Sequence, residues 1–414
     1  MLNYKYNKLL KFAFIALPIL FFFYLFLKTK LYPTDYTFTE WFINYKGGFV
    51  KRGLGGQIAL EFSNLTKLNI KLSILFIQTS GYLTFFYFFY KSIRRINLNF
   101  FWYLVIFSPL LIMYPLLELE ALGRKDIFVI SFFLIFTYIN EQNKVSIIRN
   151  FFTIFLISSL IHEITIFYIF HYLFVFFLKV RNLNERITIQ NIFWIFLFVF
   201  SIIFLNMHVS RFSNLDEMIS AYTVHGLITN IDISTESGSI SWLRSSFRDV
   251  LLGTASKIKI NIIARYILVY FLFLFPFSFF LRTNKNIGKF ISIKLLILLS
   301  LLIAIPMHLL IYDWGRVAYF SCNFFTITII AMFNNKLINE DFINTQIKSL
   351  KKKIKTFFFI ACCFSLAPKL TITEDLSTIP YIKISLKTIK EIVKMTRFEK
   401  ELKELNNKLR INVN

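Results

Sequence analysis

Two cations stand among five glycines soon after the first apolar segment of this sequence. From Gly47 to Gly56 the chain reads Gly-Gly-Phe-Val-Lys-Arg-Gly-Leu-Gly-Gly, which places Lys51 and Arg52 between the glycines. Glycine permits positive φ and close approach to the backbone, and turned N–H groups beside cations bind anions such as phosphate. The alternative is a tight turn at a membrane surface from which both cations reach water.

A second pair of cations precedes an apolar segment at Gly123-Arg124-Lys125-Asp126. If a helix begins there, two cations lie beside its positive dipole end, an arrangement that attracts an anion and does not stabilise the free helix. These residues are therefore a second candidate anion site. In the alternative interpretation Asp126 caps the helix and Arg124 pairs with Glu120.

A histidine and a carboxylate interrupt the apolar segment 151–178. An ionisable group at the centre of a membrane helix costs roughly 2.5–3.5 kcal/mol, so His162 and Glu163 need a compensating role. They are candidates for acid–base catalysis or for binding a substrate hydroxyl, and the alternative is structural pairing between helices. A metal site is not expected, because no second ligand follows at helical spacing before Phe167.

A further charged group, Asp313-Trp314-Gly315-Arg316, follows another apolar segment. On a continuous helix Asp313 and Arg316 would pair with each other, and a simple interfacial salt bridge is the alternative to a role in substrate binding. Glu40 lies in the first polar loop. It is either a solvated carboxylate or a general base.

The elements that must position these residues are membrane helices. Hydrophobic residues make up 56% of the 414-residue chain and charged residues 17%, with a mean hydropathy of +0.61, which excludes an ordinary soluble domain. We predict an all-α, polytopic integral membrane helical bundle of about 10–11 helices. The net charge of +24 is explained largely by Lys and Arg in short cytoplasmic loops, so nucleic acid is not expected as a partner.

Basic residues beside the apolar segments assign each loop to one side of the membrane. Lys5, Lys8 and Lys11 place the N-terminus in the cytoplasm, and alternation then places all the charged groups described above on the outer face. This alternation requires segment 151–178 to fold as a hairpin pair of short helices that meet at His162. The expected outer loops are 31–70, 118–126, 206–259 and 313–316.

Two regions are expected along the chain. Residues 1–368 form the transmembrane core, and the tail 369–414 is charged and helix-prone, which predicts a C-terminal helix on the membrane surface. The first apolar segment is long enough to span and is expected to remain as a helix. The three cysteines lie in apolar segments without metal-ligand spacing, and we predict no metal, cofactor or disulfide.

The charged groups are weak signals separately, and the prediction of a site rests on their convergence. A cation-rich pocket with several carboxylates, open to the outer face, would suit a phosphate or pyrophosphate beside a sugar. The predicted catalytic residues are Glu163, His162 and Glu40, and the predicted substrate-binding residues are Lys51, Arg52, Arg124, Lys125, Asp126, Asp313 and Arg316.

These motifs together resemble a family. The series Asn44-Tyr45-Lys46-Gly47-Gly48-Phe49-Val50-Lys51-Arg52-Gly53-Leu54, Gly123–Asp126, His162-Glu163 and Asp313–Arg316 looks like proteins of bacterial surface-polysaccharide loci. Those are O-antigen and capsular repeat-unit polymerases (Wzy-type), in the class of GT-C-like membrane glycosyltransferases. The resemblance covers the core to about Arg316 and not the tail. Lys51 stands where it leads us to expect a second arginine, which keeps the charge but loses bidentate geometry.

The resemblance implies a metal-independent transferase that joins lipid-linked oligosaccharide repeat units at the periplasmic face of the bacterial cytoplasmic membrane. The leaving group would be undecaprenyl pyrophosphate, whose growing charge Arg52, Arg124 and Arg316, with the two lysines, would neutralise. Glu163 or Glu40 would be the base, and His162 would orient the base or the sugar. The implied partners are the lipid-linked substrate, membrane lipid and other polysaccharide-assembly proteins.

Three other functions remain open from the sequence. A transporter or flippase of lipid-linked oligosaccharide would also need a cationic cavity, but it should carry charges on both faces and an internal repeat, and neither is apparent. A membrane acyltransferase that modifies the glycan would use His162 as a base on an acceptor hydroxyl. A purely structural membrane protein is disfavoured by the cost of so many charges at membrane depth.

Overall fold

Helices form nearly all of the regular structure. The computed structural model describes residues 2–31, 36–96, 100–224, 238–243, 245, 247–280, 293–338, 364, 366–378 and 380–381. Within these residues the strands are β1 (Leu366–Ala367) and β2 (Ser377–Thr378), which pair antiparallel. The predicted all-α class is confirmed at this level.

The helices follow one another with short connections. In chain order they are α1 (Leu2–Leu31), α2 (Tyr36–Thr39), α3 (Gly53–Thr66), α4 (Ile70–Ile93), α5 (Phe100–Ile106), α6 (Tyr114–Leu117), α7 (Asp126–Tyr138), α8 (Lys144–Ile161), α9 (Ile169–Asn182), α10 (Ile189–Met207), α11 (Leu215–Val224), α12 (Gly238–Ser241), α13 (Phe247–Ala255), α14 (Ile260–Phe280), α15 (Ile293–Leu310) and α16 (Trp314–Asn334). Short 3-10 helices span Glu40–Phe42, Glu163–Tyr168 and Val209–Phe212.

Several helical segments are long and apolar enough to cross a membrane. Among the described residues there are six: Leu10–Thr29, Ile70–Ile93, Lys144–Ile161, Glu163–Asn182, Ile189–Phe212 and Trp314–Asn334. The shortest has 18 residues, and a helix of that length extends about 27 Å, close to the thickness of the hydrocarbon core of a bilayer. The chain is therefore an all-α membrane protein, as the composition predicts.

The helix α16 lies at the centre of the bundle. Of its apolar stretch 94% is buried, whereas only 17% of the stretch Ile189–Phe212 is buried. The rings of Phe324 on α16 and Phe133 on α7 stack with centroids 4.6 Å apart. Residues at the start of α16 are thus held by neighbours on several sides, which makes this end of the helix a rigid place for charged groups.

The apolar segment 151–178 turns back at the predicted place. The helix α8 ends at Ile161, and His162 takes an extended conformation with φ −158° and ψ 124° before the 3-10 helix begins. The two helices are longer than predicted, because α8 already begins at Lys144. Its first turn is capped by Asn143, whose side chain accepts a hydrogen bond from Ser146 N at 2.8 Å.

The apolar segment 100–117, which the sequence predicts as one membrane helix kinked by two prolines, is broken into two short helices. α5 ends at Ile106 and α6 begins at Tyr114, with turns between them. Pro109 lies in the break, where a proline removes an N–H donor and clashes with the preceding turn. Pro115 lies in the first turn of α6, where proline is tolerated. The two prolines thus interrupt the helix and do more than kink it.

The first part of the predicted tail packs against the core. Gly315 N donates to Leu370 O at 3.1 Å, and Ile372 N donates to Tyr312 O at 3.1 Å. Residues 366–378 therefore lie at the end of the bundle where α16 begins. The surface helix predicted in the tail, which the sequence favours over residues 384–409, lies outside the described residues, as does part of the expected outer loop 206–259.

Candidate active site: a buried ionic network

Glu40 lies at the centre of a buried group of charged side chains. Its carboxylate is 2% exposed, and Oε1 is 3.4 Å from His162 Nε2, 3.8 Å from Arg316 Nη2 and 3.9 Å from Arg52 Nη1. No arginine of this group lies within hydrogen-bond distance of its oxygens, and His162 Nε2 is the nearest of the three nitrogens. The carboxylate is stabilised by nearby charge and is not bound by an arginine. We call the following set the ionic network: Glu40, Arg52, Arg124, Asp126, His162, Glu163, Asp313 and Arg316.

Arg52 and Glu163 form the part of the ionic network that is most accessible. Arg52 Nε lies 2.8 Å from Oε1 and 2.7 Å from Oε2 of Glu163, and Nη2 also contacts Oε1 at 2.5 Å. The two side chains are 21% and 20% exposed. Arg52 has a left-handed backbone, with φ 66°, just before α3. This uncommon conformation for a non-glycine residue turns its guanidinium toward Glu163.

The charged residues at the starts of α7 and α16 pair across the two helices. Arg316 binds both carboxylate oxygens of Asp126, with Nε 2.5 Å from Oδ2. Arg124 Nη1 donates to Asp313 Oδ2 at 3.1 Å, while its Nε donates to the Glu120 carbonyl oxygen. The expected pair within one helix, Asp313 with Arg316, is longer at 3.8 Å. The carboxylates thus offset two positive helix ends that meet.

His162 connects these two parts of the ionic network. Its Nε2 lies 2.7 Å from Arg316 Nη2, and its Nδ1 lies 3.3 Å from Glu163 Oε2. Burial, together with the charges of Arg52 and Arg316, lowers the pKa of His162 despite the opposing effect of Glu163. The ring is therefore neutral at neutral pH, and it can both donate and accept a proton.

Glu40 stays ionised although it is buried. Burial alone would raise its pKa, but His162 and the guanidinium groups of Arg316 and Arg52 outweigh burial and hold the pKa well below its usual range. The low pKa keeps Glu40 charged, so it can orient the ring of His162 and take up a proton only from a donor that is itself strongly acidic. This is the chemical property that separates Glu40 from Glu163 and Asp126, whose oxygens are occupied by arginine.

The glycines of the first loop allow the backbone to pack closely around the ionic network. A Cβ on Gly56 would lie 1.9 Å from the Ile43 carbonyl oxygen, and a Cβ on Gly55 would lie 3.0 Å from Lys125 Cε. Gly53 N already donates to Val50 O at 3.1 Å. The glycines therefore bring α3 and Arg52 close to Glu40. Because the Gly53 N–H group is already bonded, an anion would be bound by the side chains of the cations and not by this backbone group.

The two lysines of the predicted site are placed differently. Lys125 is fully buried, and its Nζ donates to the Arg52 carbonyl oxygen at 2.6 Å, which holds the left-handed backbone of Arg52 in place. Burial lowers the pKa of Lys125 to about 7. Lys51 is half-buried and makes no hydrogen bond or ion pair with a described residue. Lys125 thus positions the backbone of Arg52, whereas Lys51 is a cation without a hydrogen bond or ion pair to a described residue.

Arg211 is a neighbour of the site that sequence reasoning did not select. Burial, Arg52 and Arg211 lower the pKa of Lys51 against the attraction of Glu163, so the charge of Arg211 acts on Lys51. Asn214 N donates to Gly47 O at 2.7 Å, which joins the segment after Arg211 to the glycine-rich loop. The two segments lie far apart in the sequence, and an arginine in a polar loop carries no signal of this packing.

Among the described residues, no group of three or more His, Cys, Asp or Glu side chains could hold a metal ion. Comparison with protein-family models, with curated proteins and with solved structures found no match. What the chain does must therefore be inferred from its own residues.

Proposed function

We propose that this chain is a membrane-embedded glycosyltransferase, a polymerase that joins lipid-linked oligosaccharide repeat units of a bacterial surface polysaccharide. The donor would be linked to undecaprenyl pyrophosphate, and the acceptor would be a hydroxyl of another repeat unit. The observation that carries the proposal is Glu40, an ionised, buried carboxylate that lies within 4 Å of Arg52, His162 and Arg316. A transfer that releases a proton and an anion together needs these groups.

The cations would stabilise the leaving group. As the bond between the anomeric carbon and the pyrophosphate oxygen breaks, negative charge grows on the phosphate, and nearby cations stabilise that charge. Lys51 has no ion-pair partner among the described residues, and Arg52 is 21% exposed. Arg124 and Arg316 are buried in ion pairs. They would therefore stabilise the phosphate charge through their electrostatic field more than through direct contact.

The proposal includes a specific topology of the chain in the membrane. It comprises about 10–11 membrane helices, an N-terminus in the cytoplasm and an ionic network near the periplasmic face of the bacterial inner membrane. The starts of α7 and α16 both lie at the ionic network, as alternation of the loops requires. The proposed partners are the lipid-linked oligosaccharide, membrane lipid and other polysaccharide-assembly proteins.

A transporter of lipid-linked oligosaccharide is the second candidate, and one contact favours it. Lys179 Nζ lies 2.6 Å from Glu141 Oε2 near the ends of α9 and α7 that are remote from the ionic network, and both side chains are largely buried. A transporter should carry charged groups at both ends of its path. These two residues pair with each other, and Lys179 also donates to the Ile139 carbonyl oxygen, which leaves little capacity for a substrate.

The test is the length distribution of the surface polysaccharide in cells that carry Arg52→Ala or Arg316→Ala in place of the wild-type gene. We expect loss of long chains and accumulation of lipid-linked single repeats on the outer leaflet. The matched control is Arg265→Ala, which removes an exposed ion pair with Asp375. Unchanged long chains in both site variants would refute the proposal.

Two other outcomes of the same experiment would assign another function. Accumulation of lipid-linked repeats on the inner leaflet would indicate the transporter. Loss of a substituent at unchanged chain length would indicate an acyltransferase that modifies the glycan.

A further inference from the structure

His162 lies between two carboxylates that differ in their access to solvent. Its Nδ1 is 3.3 Å from Glu163 Oε2, and its Nε2 is 3.4 Å from Glu40 Oε1. The Glu163 side chain is 20% exposed, whereas that of Glu40 is 2% exposed. The imidazole thus joins a carboxylate at the accessible edge of the ionic network to one that is enclosed.

Each ring nitrogen of His162 also faces an N–H donor. Ile164 N donates to Nδ1 at 3.1 Å, and Arg316 Nη2 lies 2.7 Å from Nε2. A neutral imidazole has one N–H, so it donates through one nitrogen and accepts through the other. With the proton on Nδ1 the ring donates to Glu163 and accepts from Arg316. With the proton on Nε2 it donates to Glu40 and accepts from Ile164.

The surroundings of His162 therefore do not select one tautomer. Each tautomer finds one acceptor and one donor in place, and each leaves the protonated nitrogen facing a second donor, Ile164 N at 3.1 Å from Nδ1 or Arg316 Nη2 at 2.7 Å from Nε2. The charged groups that face the ring are Glu40, Arg52, Glu163 and Arg316, with the cations and carboxylates in equal number. An imidazole in this position can take up a proton at one nitrogen as it releases a proton from the other.

We propose that His162 relays the proton of the acceptor hydroxyl from Glu163 to Glu40. This inference rests on the proposed glycosyl transfer. The acceptor oxygen bonds to the anomeric carbon as the bond from that carbon to the pyrophosphate oxygen breaks, and the pyrophosphate leaves with the electron pair. The hydroxyl proton moves to Glu163 Oε2 and then to His162 Nδ1, while the proton on Nε2 passes to Glu40 Oε1.

The relay couples proton transfer to the release of Arg52. Arg52 is held by two oxygens of Glu163, and protonation of that carboxylate removes the charge that holds it. The guanidinium becomes free while negative charge grows on the pyrophosphate. When the proton reaches Glu40, Glu163 is charged again and competes for Arg52, which favours pyrophosphate release. The proton then returns through His162 and Glu163 to water at the exposed edge.

The test reads the tautomer of His162 directly, by nitrogen NMR of the full-length protein with ¹⁵N-labelled histidine in lipid nanodiscs. His162→Asn identifies the signal. The wild-type protein should show both tautomers. Glu40→Gln, whose amide donates to Nε2, should shift the tautomer ratio toward Nδ1–H by about fivefold, and Glu163→Gln should shift it by about as much toward Nε2–H.

His171 is the internal control, because its Nδ1 lies 3.0 Å from Thr328 Oγ1, outside the ionic network. Its signal should not change in either variant. Detection of a single tautomer of His162 in the wild-type protein would overturn the relay. This measurement does not depend on either carboxylate variant. A shift in the same direction in both variants would overturn it too.

The relay and the proposed function fail in different ways. A fixed tautomer, with long glycan chains lost in Arg52→Ala, would remove the relay and keep the transferase. Normal glycan chains in Arg52→Ala and Arg316→Ala would remove the transferase, and the relay would fall with it.

Discussion

Arg316 and Asp126, which are 190 positions apart in the sequence, form a two-pronged ion pair between the first turns of α16 and α7. Their side chains are only 5% and 4% exposed. The attraction between two buried charges is strong because the dielectric constant around them is low. The loss of one partner leaves the other charge uncompensated. The pair thus joins two helices at the end of the bundle where Glu40 lies.

Removal of one member of this pair should destabilise the protein strongly. We expect Arg316→Met to lower the free energy of unfolding by about 3–5 kcal/mol, because Asp126 is left buried and unpaired. The double variant Arg316→Met with Asp126→Leu should recover most of this loss. Denaturant unfolding in detergent micelles measures both effects.

The control for this prediction is the exposed pair of Arg265 and Asp375. Arg265→Met should change the free energy of unfolding by less than about 1 kcal/mol, because exposed ion pairs contribute little. Equal effects of Arg265→Met and Arg316→Met would show that the pair at the ionic network is not buried in the folded protein.

Lys125 should make the stability of the protein depend on pH. Burial lowers its pKa to about 7 in the folded state, from a value of 10.5 in an unfolded chain. Between these values the unfolded state binds more protons, so the free energy of unfolding should rise with pH, by at most about 1.4 kcal/mol per pH unit from this group. Unfolding measured from pH 7 to 9 should show the rise.

Lys125→Met should abolish the part of this rise that comes from Lys125 and should shorten the glycan chains, because the Arg52 carbonyl oxygen loses its donor. Lys46→Met is the control, since Lys46 is exposed and pairs with Glu61. The prediction fails if the slope against pH is the same in Lys125→Met as in the wild-type protein.

Gly56 should not tolerate a side chain. A Cβ at this position would meet the carbonyl oxygens of Ile43 and Trp41 at 1.9 and 2.6 Å. We expect Gly56→Ala to move α3 away from Glu40 and to cost about 1–3 kcal/mol of stability. Gly253→Ala, on α13, meets no atom within 4 Å and should be neutral or stabilising. Thermal unfolding measures both effects. Equal unfolding temperatures of Gly56→Ala and Gly253→Ala would contradict this prediction.

Residues 366–378 should be reached from the side of the membrane on which the ionic network lies. They bind the start of α16, whereas Lys336 follows the end of that helix. In a background in which the three cysteines are replaced by serine, a membrane-impermeant maleimide should label Asp375→Cys and Lys46→Cys from one side. Lys336→Cys should be labelled from the other. Labelling of Asp375→Cys and Lys336→Cys from the same side would show that the chain does not return across the membrane between them.

The apolar length of the helices and the turn at His162 could be predicted from the sequence. Both depend on local chemistry: a run of apolar residues that must leave water, and a polar pair that interrupts it. The glycines around Lys51 and Arg52 also indicated a backbone under special constraint, and Arg52 and Gly48 do take positive φ. Local sequence was sufficient in each of these cases, because the interactions lie within a few residues.

The partners of the charged residues were decided by the tertiary structure. Neighbouring residues in the sequence suggested Asp313 with Arg316 and Arg124 with Glu120, but the packing of α7 against α16 gave Arg316 to Asp126 and Arg124 to Asp313. Which carboxylate is left without a hydrogen bond from an arginine depends on these choices. The residue types alone determined which side chains are ionisable, and their spacing from the apolar segments determined at which helix ends they lie. Only the packing of helices distant in sequence, in an interior where each charge needs a partner, determined that Glu40 lies between them.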